Sequence, residues 1–82
     1  MNIEKGKKYI INTNNVCFFN KGDIVVALES SGENCCVPWF IKAETYNALA
    51  IKEKNINIGD LIEKYYDDIV ALYDDDIIEY QG

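Results

Sequence analysis

Short apolar runs alternate with turn-forming residues along the whole chain, which restricts it to a fold built from short elements. The clearest boundary is a glycine-containing turn at residues 20–23 that opens directly into a β-branched run at residues 24–29. This combination predicts a β-strand. A polar turn at residues 30–34 leads into a second apolar run at residues 35–41, so the two runs predict an antiparallel hairpin. Pro38 has no backbone N–H, which places the second strand at a sheet edge or at a bulge.

Two further segments of the N-terminal half show β character. Residues 7–11 are β-branched and aromatic and predict a first strand, with a turn after it. Residues 16–19 are apolar without alternation, so they fit either a short strand or a hydrophobic plug across the mouth of a barrel. Residues 43–46 are expected to lead into an extended stretch at residues 47–51.

The C-terminal third combines one helix signal with one hairpin signal. Asp60 is followed three residues later by Glu63, a capping-box pattern that predicts a helix over residues 61–66. Beyond it, residues 69–73 and 77–80 flank three consecutive aspartates and predict a terminal hairpin. A longer helix is the alternative for the start of this segment.

Length and composition limit the chain to one domain, residues 1–82. About half of its 82 residues are apolar, which is enough for one compact core. About five short strands and one short helix predict a mainly β fold, and a small barrel hides the edges of such a sheet. An open α+β sheet is the alternative.

Most of the groups that enzymes use are missing from the chain. It contains no His, so histidine-dependent triads are excluded, and it has no glycine-rich phosphate loop. The aspartates at residues 67–68 and 74–76 are expected to be solvated, and they do not match a calcium-binding loop. We therefore predict a protein that is not an enzyme and has no catalytic residue and no cofactor.

The cysteines indicate a reducing compartment. Their number, three, is odd, and Cys35 and Cys36 are adjacent, where a disulfide would be strained. We interpret both as small apolar side chains on opposite faces of a strand. Without His and without a Cys-x₂-Cys pair, no zinc or other metal site is expected.

The charge balance bears on partners and location. A net charge of −6 without any Arg argues against direct binding to duplex nucleic acid. Lys5, Lys7 and Lys8 form the one basic cluster, which we interpret as a solvated edge strand. No segment approaches the roughly 18 apolar residues of a membrane-spanning helix. Frequent Ile, Asn, Lys and Tyr indicate AT-rich coding DNA, so we expect the cytoplasm of a low-GC bacterium, in which the chain is encoded by the cell or by a phage.

Acidic residues are concentrated in the last 23 residues, where eight carboxylates accompany a single Lys. Tyrosines interleave with them, and such a surface suits docking onto a basic partner, with carboxylates steering the encounter and aromatic rings anchoring it. The alternative is an inert acidic surface that keeps a small protein in solution. The predicted partner-binding residues are Asp60, Glu63, Tyr65, Tyr66, Asp67, Asp68, Tyr73, Asp74, Asp75, Asp76 and Glu79.

Trp39 and Phe40 are a second candidate surface. Aromatic residues on a barrel edge commonly line a groove or an oligomer contact. Burial in the core is the alternative for both side chains.

Residues 21–29, with the polar turn after them and residues 37–41, resemble small SH3-like β-barrel proteins of bacteriophages and prophages, in which a Lys-Gly-Asp turn commonly starts a strand. The resemblance implies an SH3-like barrel of about five strands. It also implies an accessory or counter-defence protein, which either blocks a host protein such as a nuclease or sequesters a signalling nucleotide.

Three functional hypotheses follow. The first is a protein-binding inhibitor whose acidic, tyrosine-bearing C-terminal third engages a basic surface of a host protein. The second is a protein that sequesters a small molecule or nucleotide, with aromatic rings stacking on the base and Lys5, Lys7, Lys8 or Lys21 neutralising phosphate. The third is a phage structural or assembly component that functions as a homo-oligomer.

Overall fold

The computed structural model describes residues 2–32, 37–54 and 56–81, and its central element is one antiparallel sheet. The strands are β1 (Lys8–Ile11), β2 (Ile24–Ala27), β3 (Trp39–Lys42), β4 (Ile69–Ala71) and β5 (Ile77–Glu79). Their order across the sheet is β4-β3-β2-β1-β5. The predicted mainly β fold with five strands is confirmed. The predicted barrel is not closed: the sheet is open, since β4 and β5 are its two edges and do not pair with each other within the described residues.

Two short helices lie between β3 and β4. They are α1 (Ala43–Ala48) and α2 (Ile58–Lys64), and 3₁₀ turns occupy Ile51–Glu53, Tyr66–Asp68 and Asp74–Asp76. No helix in the described part of the chain combines the length and the apolar character needed to cross a bilayer.

Both faces of the sheet are buried over much of its area. Val25, Val26 and Ala27 are successive residues of β2 that point alternately to opposite faces, yet each is at most 1% exposed. The first core contains Ile3, Tyr9, Ile11, Phe19, Val25, Ala27, Phe40, Leu72 and Ile77. The second core contains Val26, Leu28, Ile41, Ile51, Leu61 and Ile69, and side chains of α1 and α2 pack against it. The chain therefore builds a core on each side of one sheet.

The predicted terminal hairpin is wrong. β4 pairs with β3, through Phe40 and Val70, whereas β5 pairs with β1, through Tyr9 and Glu79. The three aspartates form a 3₁₀ turn that carries the chain from one sheet edge to the other. Leu72 and Tyr73 precede this turn, so five residues join the two edge strands.

The predicted extended stretch at residues 47–51 is also wrong, because α1 and a 3₁₀ turn occupy this region. Ala43, Tyr46 and Leu49 recur every third residue and all pack against the second core. This spacing places them on one helical face, and burial of that face favours the helix over an extended chain.

The helix predicted at residues 61–66 is present, but it begins earlier, at Ile58. Asn57 caps it, since its side-chain Oδ1 accepts a hydrogen bond from the backbone N–H of Asp60 at 3.3 Å. Asp60 therefore lies in the first turn of α2 and is not the capping residue. Leu61 is buried in the second core, and Tyr65 packs against that core from the end of the helix.

Strand β3 is an interior strand, so its predicted edge position is wrong. It pairs with β2 on one side and β4 on the other. Pro38 lies just before it, where its missing N–H interrupts no strand pairing, and its carbonyl accepts a hydrogen bond from Leu72 N at 3.3 Å. The prediction for Cys35 and Cys36 lies outside the described residues.

Candidate functional site

The loop between β1 and β2 holds a phenylalanine in an unusual backbone conformation. Phe18 has φ +66°, in the left-handed region that bulky side chains rarely adopt. The next residue, Phe19, is only 6% exposed and belongs to the first core. Residues 16–19 form no strand. The ring of Phe19 is buried in the first core of an open sheet, so the segment does not cross the mouth of a barrel either. The neighbouring ring of Phe18 is turned outwards and is 64% exposed.

The exposed ring of Phe18 contacts a second exposed aromatic ring from a distant part of the chain. The centroids of Phe18 and Tyr66 are 6.2 Å apart and their planes are inclined by 80°, an edge-to-face arrangement. Tyr66 is 63% exposed, so the two side chains form a paired aromatic projection rather than part of a core. Backbone strain that holds a large apolar side chain in solvent commonly marks a functional position.

A set of polar contacts fixes the base of this projection. Lys42 Nζ lies 3.6 Å from Asp68 Oδ1 and 5.1 Å from the ring centroid of Phe19. Thr45 Oγ1 donates a hydrogen bond of 3.0 Å to the other carboxylate oxygen of Asp68. The 3₁₀ turn that carries Tyr66 is thereby connected to β3, to α1 and to the loop of Phe18.

We call Phe18, Tyr66 and Asp67, with half-buried Asp68 and Lys42 beneath them, the aromatic–acidic surface. Asp67 is exposed, whereas the charge of Asp68 is partly offset by Lys42. A shallow cleft of about 170 Å³ lies beside Tyr66 and Asp67, and its lining includes Lys64. The surface therefore offers two aromatic rings next to a carboxylate that forms no ion pair with the described residues.

The remaining predicted acidic residues are distributed over separate elements. Asp60 and Glu63 are exposed on α2, ahead of the aromatic–acidic surface in the chain. Asp74 and Asp75 are exposed in the 3₁₀ turn after β4, beside Tyr73, which is 65% exposed. Their clustering in the sequence thus becomes several acidic segments at different positions around the sheet.

Asp76 and Glu79 have structural partners. Asp76 Oδ2 accepts a hydrogen bond of 3.1 Å from Tyr73 N, which stabilises the 3₁₀ turn. Glu79 Oε1 lies 2.8 Å from Lys7 Nζ. The hydrogen bond from Lys7, with its positive charge, lowers the pKa of Glu79 below its ordinary value, and the same hydrogen bond raises the pKa of Lys7.

Three of the predicted aromatic residues pack inside the molecule to different degrees. Tyr65 and Trp39 are half-buried against the second core. Phe40 is fully buried, and its ring meets the ring of Tyr9 edge to face at 5.8 Å. Phe40 therefore presents no side-chain surface to a groove.

The lysines expected to neutralise a phosphate also lie at different places in the structure. Lys7 pairs with Glu79, and Lys8 Nζ lies 5.6 Å from the ring centroid of Tyr80. Lys21 is exposed next to the turn before β2, and Lys5 lines a cavity on the helical side of the sheet. In the described part of the chain, no group of three or more Cys, Asp or Glu side chains is arranged to hold a metal ion.

Comparisons of the chain with models of protein families, with curated proteins and with solved structures find no match.

Sequence reasoning did not single out Phe18 as a site residue. The available signal was two adjacent phenylalanines in an apolar run too short and irregular for a strand. Adjacent side chains in such a turn point in different directions, so the burial of one ring leaves the other free to face solvent.

Proposed function

We propose that this chain is a binding module that engages a basic surface of another protein through Phe18, Tyr66 and Asp67. The observation that carries the proposal is the contact between two exposed rings, one of which is held outwards by a positive φ. Phe18 combines backbone strain with exposure of a large apolar side chain, and both raise the free energy of the unbound protein. Binding that buries the ring can offset this free-energy cost.

The chemistry of the surface favours a cationic partner. Aromatic side chains supply most of the energy at protein interfaces when they enter a pocket, and edge-to-face pairing limits the entropy that these two rings lose on binding. Asp67 lies next to Tyr66 in the sequence, and the whole chain carries a net charge of −6. A negative field of this kind accelerates association with a basic surface and repels acidic ones.

The resemblance of residues 21–29 and 37–41 to phage-encoded barrel proteins supports a narrower form of the proposal. In that form the partner is a host protein in the bacterial cytoplasm, and binding inhibits it by covering a basic groove such as that of a nuclease. The chain then acts as a counter-defence or accessory factor.

The test is affinity capture from a low-GC bacterial lysate, with tagged wild-type chain compared with Phe18→Ala and Tyr66→Ala. Loss of an anchoring ring costs about 2 kcal/mol or more, so the specific partner should be depleted at least roughly 30-fold from both variants. Tyr73→Ala is the matched control, because Tyr73 is as exposed as Tyr66 but lies outside the surface. It should retain the partner.

Salt provides a second criterion for the same complex. Raising the ionic strength from about 50 to 500 mM shortens the Debye length severalfold and should weaken the captured complex. A partner that both ring variants retain, or that Tyr73→Ala loses equally, would contradict the proposal. Binding that is unchanged by salt would remove its electrostatic part.

A further inference from the structure

A cavity of about 180 Å³ lies between the end of β2 and the helical layer, and no residue of the aromatic–acidic surface is among the described residues that line it. Its walls include buried apolar side chains of the second core, namely Leu28, Ile51 and Leu61. The half-buried side chain of Tyr46 also lines it. The cavity therefore has an apolar wall and an aromatic neighbour.

Among the residues that the structure describes, the charged ones lining this cavity are Lys5, Lys52 and Lys54. None of the described carboxylates lines it, although acidic residues outnumber basic ones 14 to 8 in the sequence. Among residues 2–32, 37–54 and 56–81, these three lysines form no ion pair with a carboxylate. The cavity is thus a locally cationic site on an acidic protein.

Backbone hydrogen bonds fix the segments that carry these lysines. Lys5 N donates to Ser30 Oγ at 2.9 Å, and Gly6 N donates to Ala27 O at 2.8 Å, which holds the N-terminal turn against the end of β2. On the other side, Lys54 N donates to Ile51 O at 3.1 Å within the 3₁₀ turn. The lysine side chains can move, but their points of attachment surround a preformed cavity.

The size of the cavity limits the apolar part of a ligand. An apolar cavity of about 150 Å³ accommodates benzene, so this one has room for a single six-membered ring with a small substituent. A wider cleft of about 430 Å³ adjoins it, shares Lys54, Ile56 and Leu61 with it, and adds Lys64 and Asp60. Any polar extension of the ligand has space in that direction.

We propose that this cavity binds a small organic anion in which one apolar ring carries a phosphate or a carboxylate. The ring would lie against Leu28, Ile51 and Tyr46, and the anionic group would face the three lysines. This site is independent of the proposed protein-binding function. The hypothesis of a small-molecule ligand is kept, but the lysines assigned to its anionic group change. Lys52 and Lys54 now accompany Lys5, in place of Lys7, Lys8 and Lys21.

The test is an NMR titration of the ¹⁵N-labelled full chain with phenyl phosphate, benzoate, phenol and inorganic phosphate. Phenyl phosphate or benzoate should cause saturable shifts at the amides of Leu28, Ile51 and Leu61. The stronger of the two identifies the anionic group. Phenol and inorganic phosphate, which each lack one half of the proposed ligand, should bind at least about tenfold more weakly.

Lysine variants complete the test. Lys52→Gln and Lys54→Gln should each weaken binding about threefold, the effect expected of one partly screened charge, and the double variant about tenfold. Lys21→Gln is the matched control, because Lys21 is exposed and lies outside the cavity. The proposal is overturned if neither ring-bearing anion gives saturable shifts, if phenol binds equally well, or if Lys21→Gln weakens binding as much as the cavity variants.

Discussion

Phe18 and Tyr66 meet edge to face at a centroid distance of 6.2 Å, while nearly two thirds of each side chain remains exposed. Phe18 reaches this contact from a backbone with φ +66°. The contact therefore joins a strained loop to the turn that precedes β4. Because both rings are largely exposed, they can also contact a binding partner.

The strain at Phe18 predicts an unusual order of stability between two substitutions. Phe18→Gly and Phe18→Ala both remove the ring contact, but only glycine adopts a positive φ without a steric cost. We expect Phe18→Gly to be more stable than Phe18→Ala by about 1 kcal/mol, measured by urea unfolding. Equal stability, or a more stable alanine variant, would show that the loop does not hold this conformation in solution.

The sequence offered Phe40 as a possible groove residue, but its ring is buried. Truncating it should therefore have a large effect on the free energy of unfolding. Phe40→Ala removes a fully buried ring from the first core and should lower the free energy of unfolding by about 3–5 kcal/mol. Tyr66→Ala, at an exposed position, should cost less than about 1.5 kcal/mol. Denaturant unfolding of the two variants measures both, and a small effect at Phe40 would contradict the core assignment.

The N-terminus of α2 allows a direct test of which residue caps it. Asn57→Ala removes the side chain that accepts a hydrogen bond from Asp60 N, and it should destabilise the protein by about 1 kcal/mol. Asp60→Ala leaves that acceptor in place and should cost less than about 0.5 kcal/mol. The reverse order in urea unfolding would restore Asp60 as the cap.

The pair formed by Lys7 and Glu79 predicts a pH dependence at the edge of the sheet. Because the pKa of Glu79 is lowered from 4.5 in the folded state, the pair's contribution to stability is present above the ordinary carboxyl pKa. It is lost as the pH falls through the lowered value. Lys7→Gln should return the pKa of Glu79 towards its ordinary value, which an NMR titration of the carboxyl carbon reports. No change in that pKa would mean that the pair does not form in solution.

The strands that were predicted well are those whose signal is local. The turn before Ile24 and the β-branched run after it define β2 without reference to the rest of the chain. Which strands pair with each other could not be predicted from a local signal. Nothing within residues 69–80 specifies that β4 pairs with β3 and β5 with β1. Sequence neighbours with a turn between them favour a hairpin, and long-range competition for the two sheet edges overrides that preference.

Helix α1 and the aromatic–acidic surface were missed for different reasons. The spacing of Ala43, Tyr46 and Leu49 did contain a helical signal, but Leu49 and Ile51 would also share one face of an extended chain, which favoured the extended interpretation. The outward position of Phe18 depends on the burial of Phe19, a tertiary fact. Adjacent carboxylates in a sequence share a surface only where the fold places their elements together.

β1 lies between β2 and β5 and therefore receives its second neighbour from the C-terminal end of the chain. During synthesis on a ribosome, the strand made first must wait for residues 77–79 to emerge before its open side is paired. Until then its unpaired hydrogen-bonding groups are available to other nascent chains, and Lys7 and Lys8 place positive charge at that position to discourage such pairing. The last pairing of the sheet thus joins Tyr9 and Glu79, which are 70 positions apart in the sequence, and contacts of such long range are slow to form in folding.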